Sequence, residues 1–255
     1  MIPRRTIIEI AANSVRSAIA AEAGGADRVE LCEFLEGGGV TPSFGTIAYT
    51  RDKLNIPLHV LIRPRVGDFC YGDEELEIML RDVSMCRQLA CDGVVIGALD
   101  RDSNIDRDFC IRLIDAAGDM RVVFHRAFDC VLDIDRNWPA LTSLGVHGLL
   151  TSGASDDANT GAAQIANYVQ RNAALEIIAG AGVNAAQVQD LILMTGAHAV
   201  HASARQLQQS TAAMRVIAGL DGQFWQTDQE LVEQLVQAVR HADTGAQSRF
   251  INKIA

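Results

Sequence analysis

Short runs rich in Val, Ile and Leu recur along the chain, and the segments between them return to an apolar residue every third or fourth position. The short runs read as strands at about 6–10, 27–32, 57–63, 93–99, 121–126, 147–152, 175–180 and 197–203. Several open on a small-residue turn: Gly25-Ala26-Asp27, Cys91-Asp92-Gly93, Gly145-Val146-His147 and Gly196-Ala197-His198. The intervening segments carry helical period. In one of them Leu76, Leu80, Val83 and Arg87 fall near a single stripe, with Met79 and Cys86 beside it. The last opens on Thr227-Asp228-Gln229-Glu230, a capping-box pattern ahead of Leu231, Leu235 and Val239.

Strands that alternate with helices build parallel sheets, and eight such units close a (β/α)8 barrel. The predicted fold class is therefore an α/β TIM barrel, one domain over residues 1–255. A doubly wound open sheet is the competing arrangement, but no G-x-G-x-x-G follows the first strand. The segment from about 204 to 226, between the last strand and the last helix, is long enough to be functional or interface-forming.

In a barrel the C-terminal strand ends and the loops after them form the working face. Those positions carry Glu9, Glu30 with Cys32, Arg63 with Arg65, Asp100, His125 with Arg126 and Asp129, Thr151 with Ser152, and His201 with Ser203 and Arg205. The clearest case is Ile62-Arg63-Pro64-Arg65-Val66-Gly67-Asp68, where an apolar strand ends in two arginines. A charge there is costly unless it meets a partner or a ligand. A candidate pocket of Glu9, Glu30, Arg63, Arg65, His125, Asp129 and His201 follows. The alternative is an ion network among Glu9, Glu30 and Arg63 in the top layer of the barrel. Asp129, four residues past His125, is positioned to fix its tautomer. His59, His147, His198 and His241 read as structural or surface residues.

Ala179-Gly180-Ala181-Gly182-Val183-Asn184 and Ala202-Ser203-Ala204-Arg205 follow the seventh and eighth strands. Barrels commonly hold phosphate on backbone N–H groups of these two loops, which makes Gly180, Gly182, Ser203 and Arg205 a candidate anion site. The Gly37-Gly38-Gly39 stretch lacks a Walker lysine and reads as a loop entering a helix near Thr41 or Ser43.

Composition narrows the partners. The net charge of -10 argues against a nucleic-acid or anionic-membrane surface, and no apolar run approaches the ~20 residues of a membrane span. The start of the chain reads as a first strand, not a signal peptide, so a cytoplasmic protein with reduced thiols is expected. No C-x-x-C pair occurs among the six cysteines. Cys32, Cys70 and Cys130 fall at or after strand ends, on the predicted active face, where thiolates would select Cu(I) or zinc. Cys86, Cys91 and Cys110 read as packed apolar residues.

These segments resemble the copper homeostasis protein CutC family. The matching pieces are Gly25-Ala26-Asp27-Arg28-Val29-Glu30-Leu31-Cys32, Glu36-Gly37-Gly38 with Thr41-Pro42-Ser43, Ile62-Arg63-Pro64-Arg65 with Gly67-Asp68-Phe69, Phe124-His125-Arg126-Ala127-Phe128-Asp129, Leu150-Thr151-Ser152-Gly153, and His201 with Ser203-Ala204-Arg205. The resemblance runs through about residue 215. It implies a (β/α)8 barrel, a cytoplasmic location and a part in copper handling, with Cu(I) as the bound ion. Family members often carry a cysteine after the first strand, where this chain has Ala11 and Ala12. Cys32 with Cys70 or Cys130 is then the remaining thiolate set. Val66 stands where the family commonly has a glycine.

Two readings stay open. One is a copper-homeostasis protein binding Cu(I) through those thiolates. The other is an enzyme acting on a small anionic metabolite, phosphorylated or otherwise. There Arg63 and Arg65 would clamp the anion, His125 or a carboxylate would move a proton, and Glu9 and Glu30 would orient the substrate. The long 204–226 segment is compatible with a homodimer.

Overall fold

The structure, a computed structural model, describes residues 5–171, 174–213, 215, 217 and 222–254, the stretch 246–254 as backbone only. Strands β1 (Ile7–Ala12), β2 (Arg28–Leu31), β3 (Leu58–Leu61), β4 (Gly93–Ile96), β5 (Arg121–Phe124), β6 (Gly148–Thr151), β7 (Glu176–Gly180) and β8 (Ala199–Ala202) form a closed parallel barrel in sequence order. β1 closes it: Glu9 is in register with Arg28 on one side and His201 on the other. Helices α1 (Val15–Ala23), α2 (Phe44–Lys53), α3 (Asp73–Gln88), α4 (Arg107–Ala117), α5 (Ile134–Ser143), α6 (Ala162–Arg171), α7 (Val188–Thr195) and α8 (Gln229–Ile254) alternate with the strands. The expected (β/α)8 barrel is the observed fold.

The strand alternation separates two cores. Ile8, Ile10, Val29, Leu31, Val60 and Ile62 pack outward against the helices. Their neighbours turn inward, where Cys32, Leu61, Val95, Val123, Leu150, Ile178 and Ala199 make a separate axial cluster. Glu9, Arg28, Glu30 and His59 share that inward face, and all four are buried. The strands are shorter than the apolar runs suggest. Ile62 still donates to Val95 O at 2.9 Å, but Arg63 turns to bond Thr41, leaving the ladder for the loop.

Two helix readings shift by a residue. In α3 the buried stripe is Leu76, Met79, Val83 and Cys86, leaving Leu80 half-buried and Arg87 exposed. At the start of α8, Asp228 caps by accepting from Leu231 N at 3.0 Å. Thr227 instead ends a strand, buried, and donates its hydroxyl to Ser203 O at 3.1 Å. Ser43 caps α2 as expected, accepting from Thr46 N at 3.2 Å.

The long connection before α8 contains an antiparallel pair, β9 (Arg205–Gln209) and β10 (Gln223–Thr227). It leans on the first helical unit: Asn13 Nδ2 donates to Trp225 O at 2.8 Å, and Thr227 N to Ser17 Oγ at 3.0 Å. Leu207, Phe224 and Trp225 remain exposed. At the opposite end α8 clips the first two strands. Arg240 bonds Asp27 Oδ2 and Thr6 O, each at 2.7 Å, and Asp243 accepts from the Thr6 hydroxyl at 2.7 Å. None of the described helices is long and apolar enough to cross a membrane.

Candidate functional site

A cavity of about 320 Å³ opens at the C-terminal end of the barrel. Its polar lining includes Glu30, Arg63, His125, Arg126, His201 and Ser203; Cys32, Leu35, Leu61, Phe69 and Leu150 supply apolar wall. The β7 loop contributes Ala181, Gly182 and Val183. This is the face the strand ends predicted.

Glu30 and His201 are two titratable groups that line it. His201 Nδ1 lies 2.7 Å from Glu9 Oε1, and the other Glu9 oxygen takes Arg28 Nε at 2.5 Å. Burial pushes Glu9 upward, but Arg28 and the contacts with His201 and His59 outweigh it and hold this carboxyl well below the usual range. His201 is likewise disfavoured as a cation by burial, yet the charges of Glu30 and Glu9 raise it above its ordinary value. Glu30 behaves oppositely to Glu9. Burial, with Glu9's charge beside it, raises Glu30 to about 7, against the opposing pull of His201 and Arg28. Its Oε2 is buried without a hydrogen-bond partner. Two carboxyls in one barrel are thus driven apart, one held ionised and one near neutrality.

His125 is a different histidine. Its Nδ1 accepts from Ala127 N at 3.1 Å, so the neutral ring carries its proton on Nε2, which is buried and unpaired. Burial and the neighbouring Arg63 push it down to about 3. The tautomer is fixed by backbone, not by Asp129. That carboxylate points toward β6, where it accepts from Ser152 N at 2.9 Å, Ala154 N at 3.1 Å and the Thr151 and Ser152 hydroxyls, and pairs with Arg126 at 3.0 Å. Asp129 shapes the β6 loop and does not line the cavity.

The two arginines of the β3 loop are also largely spent on structure. Arg63 Nη1 donates to Gly37 O and Gly39 O at 3.1 and 2.9 Å, Nη2 to Gly67 O at 2.8 Å, and the guanidinium lies over the Phe69 ring at 4.8 Å. Its Nε remains buried and unpaired. Arg65 lies outside the cavity lining and locks its own loop through Glu75 at 2.6 Å, Asp68 at 3.0 Å and Cys70 O at 2.9 Å.

Of the candidate anion residues, Gly182 and Ser203 line the cavity. Ala181 and Gly182 take consecutive positive φ values of 84° and 71°, a turn that an alanine adopts only under strain. Gly180 is needed for packing, since a Cβ there would sit 2.6 Å from Leu150 Cδ1. Arg205 lies outside the lining, paired with Glu36 at 2.9 Å and over Trp225 at 4.7 Å.

A family model described as the CutC family matches residues 6–206, carrying Glu9, Glu30, Arg63, His125 and His201 within it. The chain belongs to the CutC family. A family protein CutC from Xanthomonas campestris is 49% identical over 92% of this chain and 99% of its own. One from Chromobacterium violaceum is 42% identical over 92% and 97%. The solved structure of a CutC protein from Streptococcus agalactiae, to which copper homeostasis has been ascribed, superposes with a TM-score of 0.74 at 32% identity, covering 78% of this chain and 98% of that one. Thiamine phosphate pyrophosphorylase from Pyrococcus furiosus shares the fold at 14% identity, TM-score 0.58, covering 94% of this chain and 98% of that one.

The thiols of this CutC member do not form a joint site at the cavity. Cys32 lines the wall with Sγ 3.8 Å from Ala12 O, and burial with Glu30's charge pushes it well above an ordinary thiol. Cys70 is half-buried and Cys130 exposed, and neither lines the cavity. Burial and Asp129 push Cys130 up as well. Among the described residues, the group of three side chains close enough to share a metal ion is Glu9, Glu30 and His201, with no sulfur. Carboxylate and imidazole suit harder divalent ions, whereas Cu(I) selects soft sulfur, so this donor set does not fit Cu(I).

Sequence reading missed Arg28 and Glu176 as partners of the site. Arg28 Nη1 bonds both oxygens of Glu176 at 3.1 Å inside the barrel. The signal was present in Arg28-Val29-Glu30-Leu31-Cys32, whose alternate residues put two charges on one inward face.

Proposed function

We propose that this CutC member is an enzyme that moves a proton on a small anionic metabolite at the C-terminal mouth of its barrel. The observation that carries the reading is the buried, unpaired Oε2 of Glu30 at a cavity it shares with a Glu9-anchored His201. A carboxyl raised to about 7 can both give and take a proton at neutral pH. In this reading Glu30 is the acid–base group touching substrate. His201, its Nδ1 held by Glu9, supplies a cation beside the developing charge. Arg126 at the mouth, the Ser203 hydroxyl and the Arg63 Nε–H offer donors to the anion, with the Ala181-Gly182-Val183 turn lining the same cavity. Arg65 and Asp129 act as loop anchors.

The test is a thermal-shift screen of the purified protein against phosphorylated and carboxylated metabolites, followed by calorimetry on any hit with Arg126→Ala and Glu30→Gln. Binding of an anion that weakens in Arg126→Ala, with turnover lost in Glu30→Gln, supports the reading. A ligand that binds equally well to both variants and undergoes no conversion overturns it.

The copper role ascribed to the Streptococcus agalactiae relative supports a second reading, in which this chain handles Cu(I) in the cytoplasm with Cys32, the one thiol of the three at the cavity, as a ligand. Competition between the reduced protein and a Cu(I) chelator, beside Cys32→Ser, tests it. Stoichiometric binding lost in the variant supports copper as cargo. Binding indifferent to Cys32 removes the thiolate site.

A further inference from the structure

Among the described residues, three cavity-lining side chains keep a buried polar atom without a hydrogen-bond partner: Glu30 Oε2, Arg63 Nε and His125 Nε2. The last two are N–H donors, on residues only 5% and 4% exposed. A buried donor left unpaired is costly, so two at one cavity point to an acceptor that arrives with a ligand. Both donors are held in place by bonds made elsewhere. Arg63 has committed Nη1 and Nη2 to three loop carbonyls, which leaves Nε as the nitrogen without a partner. His125 is fixed by the Ala127 amide on Nδ1, which puts its proton on Nε2. One ring packs against both: the Phe69 centroid lies 4.8 Å from the guanidinium carbon and 5.0 Å from the imidazole centroid.

We propose that Arg63 Nε–H and His125 Nε2–H form a seat for one carbonyl oxygen, so that the small anion of this cavity also carries a carbonyl group. The chemistry of the two donors sets that preference. Phosphate and carboxylate are best met by the guanidinium fork, with two parallel N–H groups. In Arg63 both Nη nitrogens are already taken by Gly37 O, Gly39 O and Gly67 O. Single N–H groups from two different residues suit one oxygen with two lone pairs, which is what a carbonyl presents. The imidazole is kept neutral by burial and by Arg63, so it donates without adding a second positive charge. A neutral donor beside a fixed cation polarises a carbonyl. Leu35, Leu61 and Leu150 give the carbon chain an apolar wall, and the charge of the acid falls to Arg126 and Ser203.

The proposal rests on the reading of the cavity as an anion site only for the charge of the acid; the carbonyl seat is measured separately. The probes are two matched pairs, pyruvate against propanoate and levulinate against pentanoate. Within each pair charge and chain length are the same, and only the carbonyl differs. Calorimetry on the whole protein is expected to show at least one oxo acid binding about tenfold or more tightly than its partner, the scale of pairing a buried orphan donor. His125→Asn keeps an acceptor for Ala127 N but is too short to replace the Nε2 donor, and is expected to erase most of that preference. In protein with isotope-labelled histidine, the bound oxo acid is expected to move the His125 Nε2–H resonance downfield, while the plain acid leaves it in place. Contacts with the Phe69 ring protons identify that resonance. Absence of a preference, whether both acids of a pair bind alike or neither binds, overturns the seat, as does a preference that His125→Asn retains. If His125→Asn does not fold, the resonance decides, and an unmoved Nε2–H overturns the seat. A carbonyl preference without turnover, indifferent to Arg126→Ala, would remove the proposed function and leave the seat. Oxo and plain acids bound alike and released by Arg126→Ala would do the reverse.

Discussion

Gly97 sits flush against the ring of His125: a Cβ on the glycine would lie 2.5 Å from both Cε1 and Nδ1 of the imidazole. The barrel makes room for its buried histidine by omitting a side chain just past the end of the neighbouring strand, β4. Gly97→Ala is expected to displace the ring or the Ala127 turn it caps, costing about 1–3 kcal/mol as overpacking does elsewhere. Urea denaturation measures it, and an unchanged midpoint would contradict the contact.

His125 also predicts an acid limit to stability. Held down to about 3 in the fold, it stays neutral while an unfolded histidine of about 6.5 binds a proton. Between those values the unfolded chain carries more protons, so stability falls as pH falls through the window. The full difference amounts to about 4–5 kcal/mol between pH 7 and pH 3. His125→Asn keeps an acceptor for Ala127 N but cannot titrate, and its stability curve should be flatter over that window.

Glu30 has the opposite sign. Its folded value of about 7 exceeds the ordinary 4.5, so the folded protein holds a proton that the unfolded chain has released. That contribution is fully present below pH 4.5 and disappears as pH rises through 7. Glu30→Gln should therefore stabilise the protein more at pH 8 than at pH 5, by up to about 3 kcal/mol. Paired denaturation curves at those two pH values check it. Equal effects at both would mean that Glu30 ionises normally.

Arg63 ties three backbone carbonyls of two loops to the mouth of β3. Removing it leaves Gly37 O, Gly39 O and Gly67 O without that donor. Arg63→Ala is expected to cost about 1–3 kcal/mol, since the Gly39 carbonyl is buried and would lose its donor. Loss of ligand binding in Arg63→Ala would thus be accompanied by a lowered Tm, while Arg126→Ala, at a partly exposed guanidinium whose partner Asp129 keeps its other donors, should lower Tm less.

The barrel was legible because its signal is periodic. Eight apolar runs with small-residue entries announce strands, and parallel strands alternating with helices leave few ways to close. The strand ends also located the cavity, including Glu30, His125 and His201. What pattern could not convey is whether a charged group is already satisfied. Arg63 and Arg65 read as an anion clamp from their place after an apolar strand, yet their partners are mostly carbonyls and carboxylates of adjacent loops, whose course is not periodic. Asp129 four residues after His125 looked like its orienting acid; the 3-10 turn at Arg126–Cys130 swings it toward β6 instead. The Arg28–Glu176 ion pair inside the barrel escaped because the two lie 148 positions apart, a pairing that only barrel closure creates.

The clip between α8 and the first strands has a consequence for the order of synthesis. Arg240 reaches back 213 positions to Asp27 and Asp243 reaches back 237 to Thr6. A chain emerging from the ribosome N-terminus first exposes the β1 edge long before its seal exists. β8 and then α8 are the last parts of the barrel to leave the exit tunnel. Until they arrive the growing sheet has an open parallel edge, the state most open to wrong pairing or to a chaperone. β8 therefore ends the open edge, and the last helix is the latch that pins the first strands once the sheet has shut.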